Sequence, residues 1–414
     1  MVCGLERYRN KEGLMAEEQK VDYSKLSTDE LIKLDKEYEA EAQRLQSLQM
    51  ALKIVLNSGY GAMGNNGFRY FNLYLASSIT TSGQLAIRWI ERKLNEFLDK
   101  KTGFKKDRVV LIDTDSVMLD LEDVVNLYCP KEASQEQKLE FLNQLAKKVL
   151  DPYIDKSYRE LADYTNAYAH KFHMKRENIV SSMISVAAKS YLCRVWDSEG
   201  VRYSIDNPHN KIMGLQMVKS STPKVVQDAM KNAIPILTEQ TESDLQDYIV
   251  ETRKKFNKLS VEEIAFPRGV TEVAKFNKKL VEEKLKKTSD NNERAKLEDM
   301  LQTKSTIYTK YAPAHVKAAL IYNELIDRFG LNQQRQKIVG GDKIKFVYLT
   351  TPNPINEDCI GFQDTLPKEF GLHDYVDYER MFEKTFIEPI SKITTALNWK
   401  TKKESFLDDF FDFG

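Results

Sequence analysis

Asp113 and Asp115, in Ile112-Asp113-Thr114-Asp115-Ser116, are the side chains best suited to do chemistry in this sequence. They lie between two short apolar runs, Val109 to Ile112 and Val117 to Leu119. Such runs read as strands, which puts the acidic residues at the tip of a tight hairpin. Carboxylates two residues apart on a turn offer oxygen ligands to a divalent cation of the Mg²⁺ type, which leaves its other positions to water and substrate phosphates. Alone, an acidic turn is more often a solvated hairpin tip. A second set lies upstream in KIVLNSGYGAMGNNGFRY, from Lys53 to Tyr70. In a helix Lys53, Asn57 and Tyr60 share one face, a cation, an amide and a phenol turned toward a ligand. Leu52, Leu56 and Met63 form a separate stripe available for burial. Gly59, Gly61, Gly64 and Gly67 mark backbone that turns sharply or approaches something closely.

The surrounding pattern predicts the elements that position these residues. Residues 1 to about 19 read as a helix with Arg7 and Lys11 four apart. Ser27-Thr28-Asp29-Glu30 is a capping box that starts a longer helix. Leu31, Leu34, Tyr38, Leu45, Leu48, Leu52 and Val55 give that helix heptad spacing, broken at Glu41, so it should pack antiparallel to the first. A helix from about Leu73 to Leu98 precedes the hairpin, the α+β pattern of a helix behind an antiparallel sheet. A helical insertion spans residues 131 to 175. Strands follow around Tyr191 to Trp196 and Val201 to Tyr203, with a turn at Asp197-Ser198-Glu199-Gly200. Lys189 and Tyr191 alternate onto one strand face, a cation beside an aromatic ring of the kind that could grip a nucleic-acid backbone and sugar together. Thr222-Pro223 opens a helix. Residues 223 to about 395 are mainly helical, with a solvated Lys/Glu-rich hairpin near 273 to 304 and a strand near 342 to 349.

Composition narrows the class. A chain of 414 residues makes two or three domains. No apolar run approaches the ~20 residues of a membrane span, and no targeting peptide is visible. Cys3, Cys129, Cys193 and Cys359 are scattered without metal-ligand spacing, which fits a reducing cytosol and no structural zinc. The 62 basic and 62 acidic residues balance, which argues against a bulk polyanion binder, so any nucleic-acid contact must come from local clusters such as Lys100 to Arg108 or Lys171 to Arg176.

The two motifs together resemble the family B DNA polymerases, above all those of tailed bacteriophages. Lys53-Ile-Val-Leu-Asn57-Ser58-Gly59-Tyr60-Gly61 matches that family's fingers helix, and Asp113-Thr-Asp-Ser116 its palm hairpin. Ala188-Lys189-Ser190-Tyr191 resembles the primer-gripping segment, Lys211 to Gly214 and Lys219 to Lys224 the palm-to-thumb passage, and Gly341 to Ile344 a thumb strand. The resemblance implies a right-hand polymerase architecture lacking the N-terminal and exonuclease domains: fingers helices over 1–64, the larger half of the palm over 65–222, a mainly helical thumb over 223–395 and a tail over 396–414. It implies two Mg²⁺ ions, with Asp115 ligating both, Asp113 assisting and Glu177 as a further carboxylate nearby. Arg7, Lys11, Lys53 and Asn57 would line the triphosphate of a deoxynucleotide, with Tyr60 beneath its sugar, while Gly61, Lys189, Tyr191 and Lys219 would meet primer-template DNA. Phe410, Phe411 and Phe413 in the acidic-aromatic tail resemble a sliding-clamp anchor.

Departures from the family pattern are specific. Ile112 stands where the family has glycine, Ala188 and Ser190 thin the primer grip, and Gly414 follows the last phenylalanine. The motif that carries the family's first metal aspartate is not found, nor are the acidic motifs of proofreading. The resemblance therefore implies the C-terminal subunit of a split replicative polymerase, completed by an N-terminal chain and acting in the cytoplasm of an infected host cell, with no membrane partner. The alternative is a DNA- and clamp-binding remnant that has lost its chemistry.

Overall fold

The computed structural model describes residues 2–5 and 26–403, so Arg7, Lys11 and the tail residues Phe410, Phe411 and Phe413 lie outside the described residues. The chain divides into two compact units, Met1–Val180 with Val195–His209, and Ser181–Arg194 with Asn210–Gly414.

In the first unit, β1 (Val2–Leu5) precedes two long helices, α1 (Thr28–Met63) and α2 (Leu73–Thr102). A hairpin follows, β2 (Val109–Asp113) and β3 (Ser116–Leu119), then α3 (Glu122–Tyr128), α4 (Gln135–Leu145) and α5 (Asp151–Tyr164). Strands β4 (Met174–Ala187) and β5 (Ser190–Ser198) carry the chain into and out of the second unit, and β6 (Val201–Arg202) closes a hairpin on β5. The sheet order is β2-β3-β1-β4-β5-β6, with β7 (His209–Met213) paired to β5.

The first helix expected from the sequence begins instead as a strand. β1 lies between β3 and β4 and is antiparallel to both, with Gly4 opposite Ser116 on one side and Lys175 on the other. The run Val-Cys-Gly-Leu is too short to show a period, and distant pairing partners fix it as β. The capping box of α1 forms as expected: the Ser27 hydroxyl accepts from the Glu30 amide, and the Glu30 carboxylate accepts from the Ser27 amide at 2.9 Å. Among the described residues, none of α1 is buried, and Leu52 and Leu56 are 57% and 76% exposed. Its apolar stripe has no described element packed over it.

Apart from Ala76 in its first turn, α2 buries residues only from about its middle onward. Ile87, Ile90, Leu94 and Leu98 recur at helical spacing and pack with Val117 and Leu119 of the hairpin and Ile154, Tyr158 and Leu161 of α5. Each such side chain stabilises the unit by about 1.5–3 kcal/mol. The Trp89 indole N–H donates to the Ser157 carbonyl at 2.8 Å and ties α2 to α5. Arg108 has no exposed surface and sits among the Asp99 carboxylate, the Asp123 carboxylate and the Thr102 hydroxyl at 2.6, 2.7 and 2.7 Å. Arg176 is likewise buried against Asp197 and Asn143. Both arginines belong to basic clusters expected to face nucleic acid; their fork-shaped heads instead turn inward and pair with acids, which costs far less than leaving a buried charge unpaired.

In the second unit, α6 (Lys224–Asn232), α7 (Ile234–Glu239), α8 (Glu242–Phe256) and α9 (Val261–Ile264) lead to β8 (Phe266–Gly269). Then come α10 (Val273–Phe276), α11 (Lys278–Lys287), α12 (Asn291–Met300), α13 (Ala314–Arg328), β9 (Lys343–Tyr348), β10 (Cys359–Phe362), α14 (Tyr378–Phe382) and α15 (Glu388–Ala396). The mainly helical reading holds, with the addition of a three-stranded sheet β10-β9-β8 whose β8 is too short to show a period in the sequence. A Cβ at Gly361 on β10 would lie 3.1 Å from the Ala318 backbone, so glycine lets the buried helix α13 lie directly on the strand. The Lys/Glu-rich pair α11 and α12 buries Val281 and Leu297 and is bridged by Lys284 and Glu293 at 2.7 Å, as its composition suggests. Thr222 does not cap α6; its hydroxyl pairs with the Gln216 side chain at 3.3 Å.

Candidate active site

The acidic hairpin is built by its strands. Asp113 ends β2 opposite Ser116, Ile112 faces Val117 and Leu111 faces Met118. Because Val117 and Met118 are buried, the hairpin has a packed base, and α2 lies against both strands. The tip is closed by Thr114 in the left-handed region, φ 60°. The Asp115 amide donates to the Asp113 carbonyl at 2.7 Å and the Ser116 hydroxyl donates to the same oxygen at 3.2 Å. Both aspartates are half-buried at the end of a rigid two-strand stem. Two carboxylates and backbone oxygens are a hard donor set that suits Mg²⁺ and is incomplete for it without water or phosphate. The Ile112 side chain is 38% exposed next to Asp113.

The neighbouring strand adds no acid. β1 flanks β3, and its sequence Val-Cys-Gly-Leu has no carboxylate. Glu177 is on β4, the strand beyond β1, where the register shifts between Asn178 and Arg176 opposite Val2 and Cys3. That bulge places Glu177 between the residues opposite Val2 and Cys3, two strand spacings or about 10 Å across the sheet from β3.

Lys53, Asn57 and Tyr60 are all exposed on α1. Gly59 and Gly61 do not turn the chain: both lie inside the helix with open space where a Cβ would be, and Gly64 is the residue that ends it. The result is a helix face thinned to backbone beside a cation, an amide and a phenol. Lys189 precedes β5 rather than sitting on it. It occupies the turn after β4 with φ 59° and is exposed, whereas Tyr191 is buried in the strand. The two therefore do not share a strand face. The structure joins Lys189 to a different motif: Gly214 packs so closely that a Cβ would lie 2.2 Å from the Lys189 carbonyl oxygen, and its φ is 66°. Lys219 is exposed at the end of a short 3₁₀ turn, its carbonyl accepting from the Thr222 amide and the Gln227 side chain, both at 3.0 Å. Sequence spacing gave no sign of β1 beside the hairpin or of the Gly214 contact, since both depend on pairing between distant segments.

Comparison with known proteins bears directly on this arrangement. Residues 27–137 match the family model for DNA polymerase family B. The matching segment contains α1, α2 and the whole acidic hairpin. Over 392 residues, 91% of this chain, the sequence is 31% identical to the DNA-directed DNA polymerase of Enterobacteria phage T4. Over 380 residues, 88% of the chain, it is 32% identical to the DNA-directed DNA polymerase of Escherichia phage RB69. A shorter stretch of 119 residues, 27% of the chain and 11% of the relative, is 34% identical to the DNA polymerase delta catalytic subunit of Candida albicans. The chain spans 40% and 38% of the length of the two phage relatives.

Proposed function

We propose that the chain is the C-terminal part of a family B DNA-directed DNA polymerase, carrying fingers (1–64), the larger palm half (65–222), thumb (223–395) and a clamp-binding tail (396–414). The observation that carries this reading is the occurrence of the Lys53-to-Gly61 helix face and the Asp113-to-Ser116 hairpin inside one segment matching family B. Asp115 and Asp113 hold Mg²⁺, with Glu177 a more distant carboxylate on the same sheet. When bound, two such ions supply charge neutralisation on the triphosphate and activation of the primer 3′-hydroxyl. Lys53, with Arg7 and Lys11, neutralises the phosphates; Asn57 and Tyr60 position the nucleotide; Gly61 leaves room for the nascent pair. Lys189, Tyr191 and Lys219 support the primer-template, and Phe410, Phe411 and Phe413 dock on a sliding clamp.

The active site is completed by a segment from a separate N-terminal chain, which brings the first metal aspartate and the exonuclease, in the cytoplasm of an infected host cell. Two observations support a missing wall: β1 beside the hairpin has no carboxylate, and Glu177 lies one strand further away on β4. The same facts favour one rival, a non-catalytic DNA- and clamp-binding remnant. Primer extension with Mg²⁺ and four deoxynucleotides separates them. The chain alone is expected to bind primer-template without extending it, and to extend it when co-purified with an exonuclease-bearing chain from the same genome. Asp115→Asn should abolish that extension, and absence of rescue with DNA binding intact would leave the remnant reading standing.

A further inference from the structure

A cluster built from residues outside the acidic hairpin has the composition of a metal site. α5 presents Asp155 one turn from its start, and the segment between α5 and β4 returns His170 and His173 to it. His170 Nε2 lies 3.0 Å and His173 Nδ1 3.7 Å from the same Asp155 oxygen, Oδ1, and the three ligand atoms all lie within 4.8 Å of one another. With metal–ligand bonds of about 2.0–2.2 Å, two ligands on a tetrahedral ion stand roughly 3.4 Å apart. The two measured separations bracket that value. The imidazole rings meet edge to face, 4.8 Å between centroids and 65° between planes, so they approach Oδ1 from different directions.

The surroundings hold these groups in place. Arg159 binds the other Asp155 oxygen through Nε and Nη2, each at 2.9 Å, which orients Oδ1 as a single-oxygen ligand. His170 is largely buried, and its outer nitrogen Nδ1 is buried without a hydrogen-bond partner, so the polar contact that the ring makes is the one at the cluster. Phe172 between the histidines packs its ring against Tyr158 of α5 at 5.6 Å and pins the returning segment.

We propose that Asp155, His170 and His173 bind a divalent transition ion of the zinc class. Two imidazoles and one carboxylate favour such ions over Mg²⁺, which prefers oxygen donors alone. Three protein ligands leave a fourth position for water. Bound there, the ion clips α5 to the start of β4, the strand that carries Arg176 and Glu177, and binding to the folded chain alone raises its stability. Among the described residues no cysteine joins this group.

The test uses the full chain, freed of metal by chelation and titrated with Zn²⁺ in excess Mg²⁺. One Zn²⁺ per chain is expected, with a rise in the unfolding midpoint, in the wild type and in Asp115→Asn. Asp155→Asn should weaken the affinity at least about tenfold, since even loss of an outer-shell partner costs about 10–100-fold. The His170→Gln/His173→Gln double variant should lose the site. Co²⁺ in place of Zn²⁺ should give the visible absorption of a tetrahedral site without a thiolate band. A measurement free of variants is protection of His170 and His173 from diethyl pyrocarbonate by Zn²⁺, read by mass spectrometry. Unprotected histidines, or the same affinity in wild type and double variant, would mean that the cluster is only a hydrogen-bonded His-Asp-His contact.

Discussion

Cys193 is buried on β5, and burial pushes its thiol up to about 11, with the Lys211 charge opposing the shift. Its ordinary value is 9.0. Between those limits the unfolded chain has released the thiol proton while the folded chain keeps it. The folded state then holds more protons, so stability falls as pH rises through the window. The contribution is fully present below pH 9 and amounts to about 2 kcal/mol lost by pH 11. Urea unfolding between pH 8 and 10 should show this decline; Cys359, whose thiol burial also pushes up, adds to it, so Cys193→Ala should lessen the slope and Cys193→Ala/Cys359→Ala reduce it further. Single side chains were unevenly legible in the sequence. Asp113 and Asp115 stood out because their spacing within a hairpin is local. Arg108 did not, because its two carboxylate partners lie on α2 and α3 and nothing in a run of basic residues says which one turns inward.

Elements set by local chemistry were the readable ones. The start of α1 follows from a capping box, and α2 from its apolar period, its Asn72 cap and the left-handed Gly103 that ends it. β1 was unreadable since a four-residue strand is decided by its neighbours β3 and β4. The same applies to the crossing of two loops at Gly214 and Lys189, which brings the two downstream motifs against each other. Any side chain at Gly214 would meet the Lys189 carbonyl and adopt a left-handed backbone as well. Gly214→Ala should therefore cost more than about 2 kcal/mol in urea unfolding. Lys189→Gly, whose native φ of 59° suits glycine, should keep the turn while removing the charge. If primer-template affinity falls in Lys189→Gly with stability intact, the lysine contacts DNA; if only Gly214→Ala weakens binding, the loop crossing matters for shape alone.

Charge and exposed apolar surface together govern how the chain behaves in solution. Its 62 basic and 62 acidic residues cancel, with an isoelectric point near 7.0, so little net repulsion keeps copies apart at neutral pH. At the same time α1 leaves Leu52, Val55 and Leu56 exposed, and the first turns of α2 leave Leu73, Tyr74, Leu75 and Ile79 exposed. Apolar side chains left exposed along helices in this way are a contact face or an aggregation hazard. The isolated chain should self-associate with rising concentration, most strongly near pH 7 and in sulfate, which strengthens apolar burial. Sedimentation velocity at pH 7 and pH 9 measures this directly. Leu52→Glu/Leu56→Glu, two solvent-facing changes on one helix face, should shift the distribution to monomer without lowering the unfolding midpoint. An N-terminal chain that covers the same face should do the same at equimolar ratio. If the wild type stays monomeric at pH 7 at every concentration, the apolar face of α1 is already covered in solution, and the exposed stripe is no argument for a missing partner.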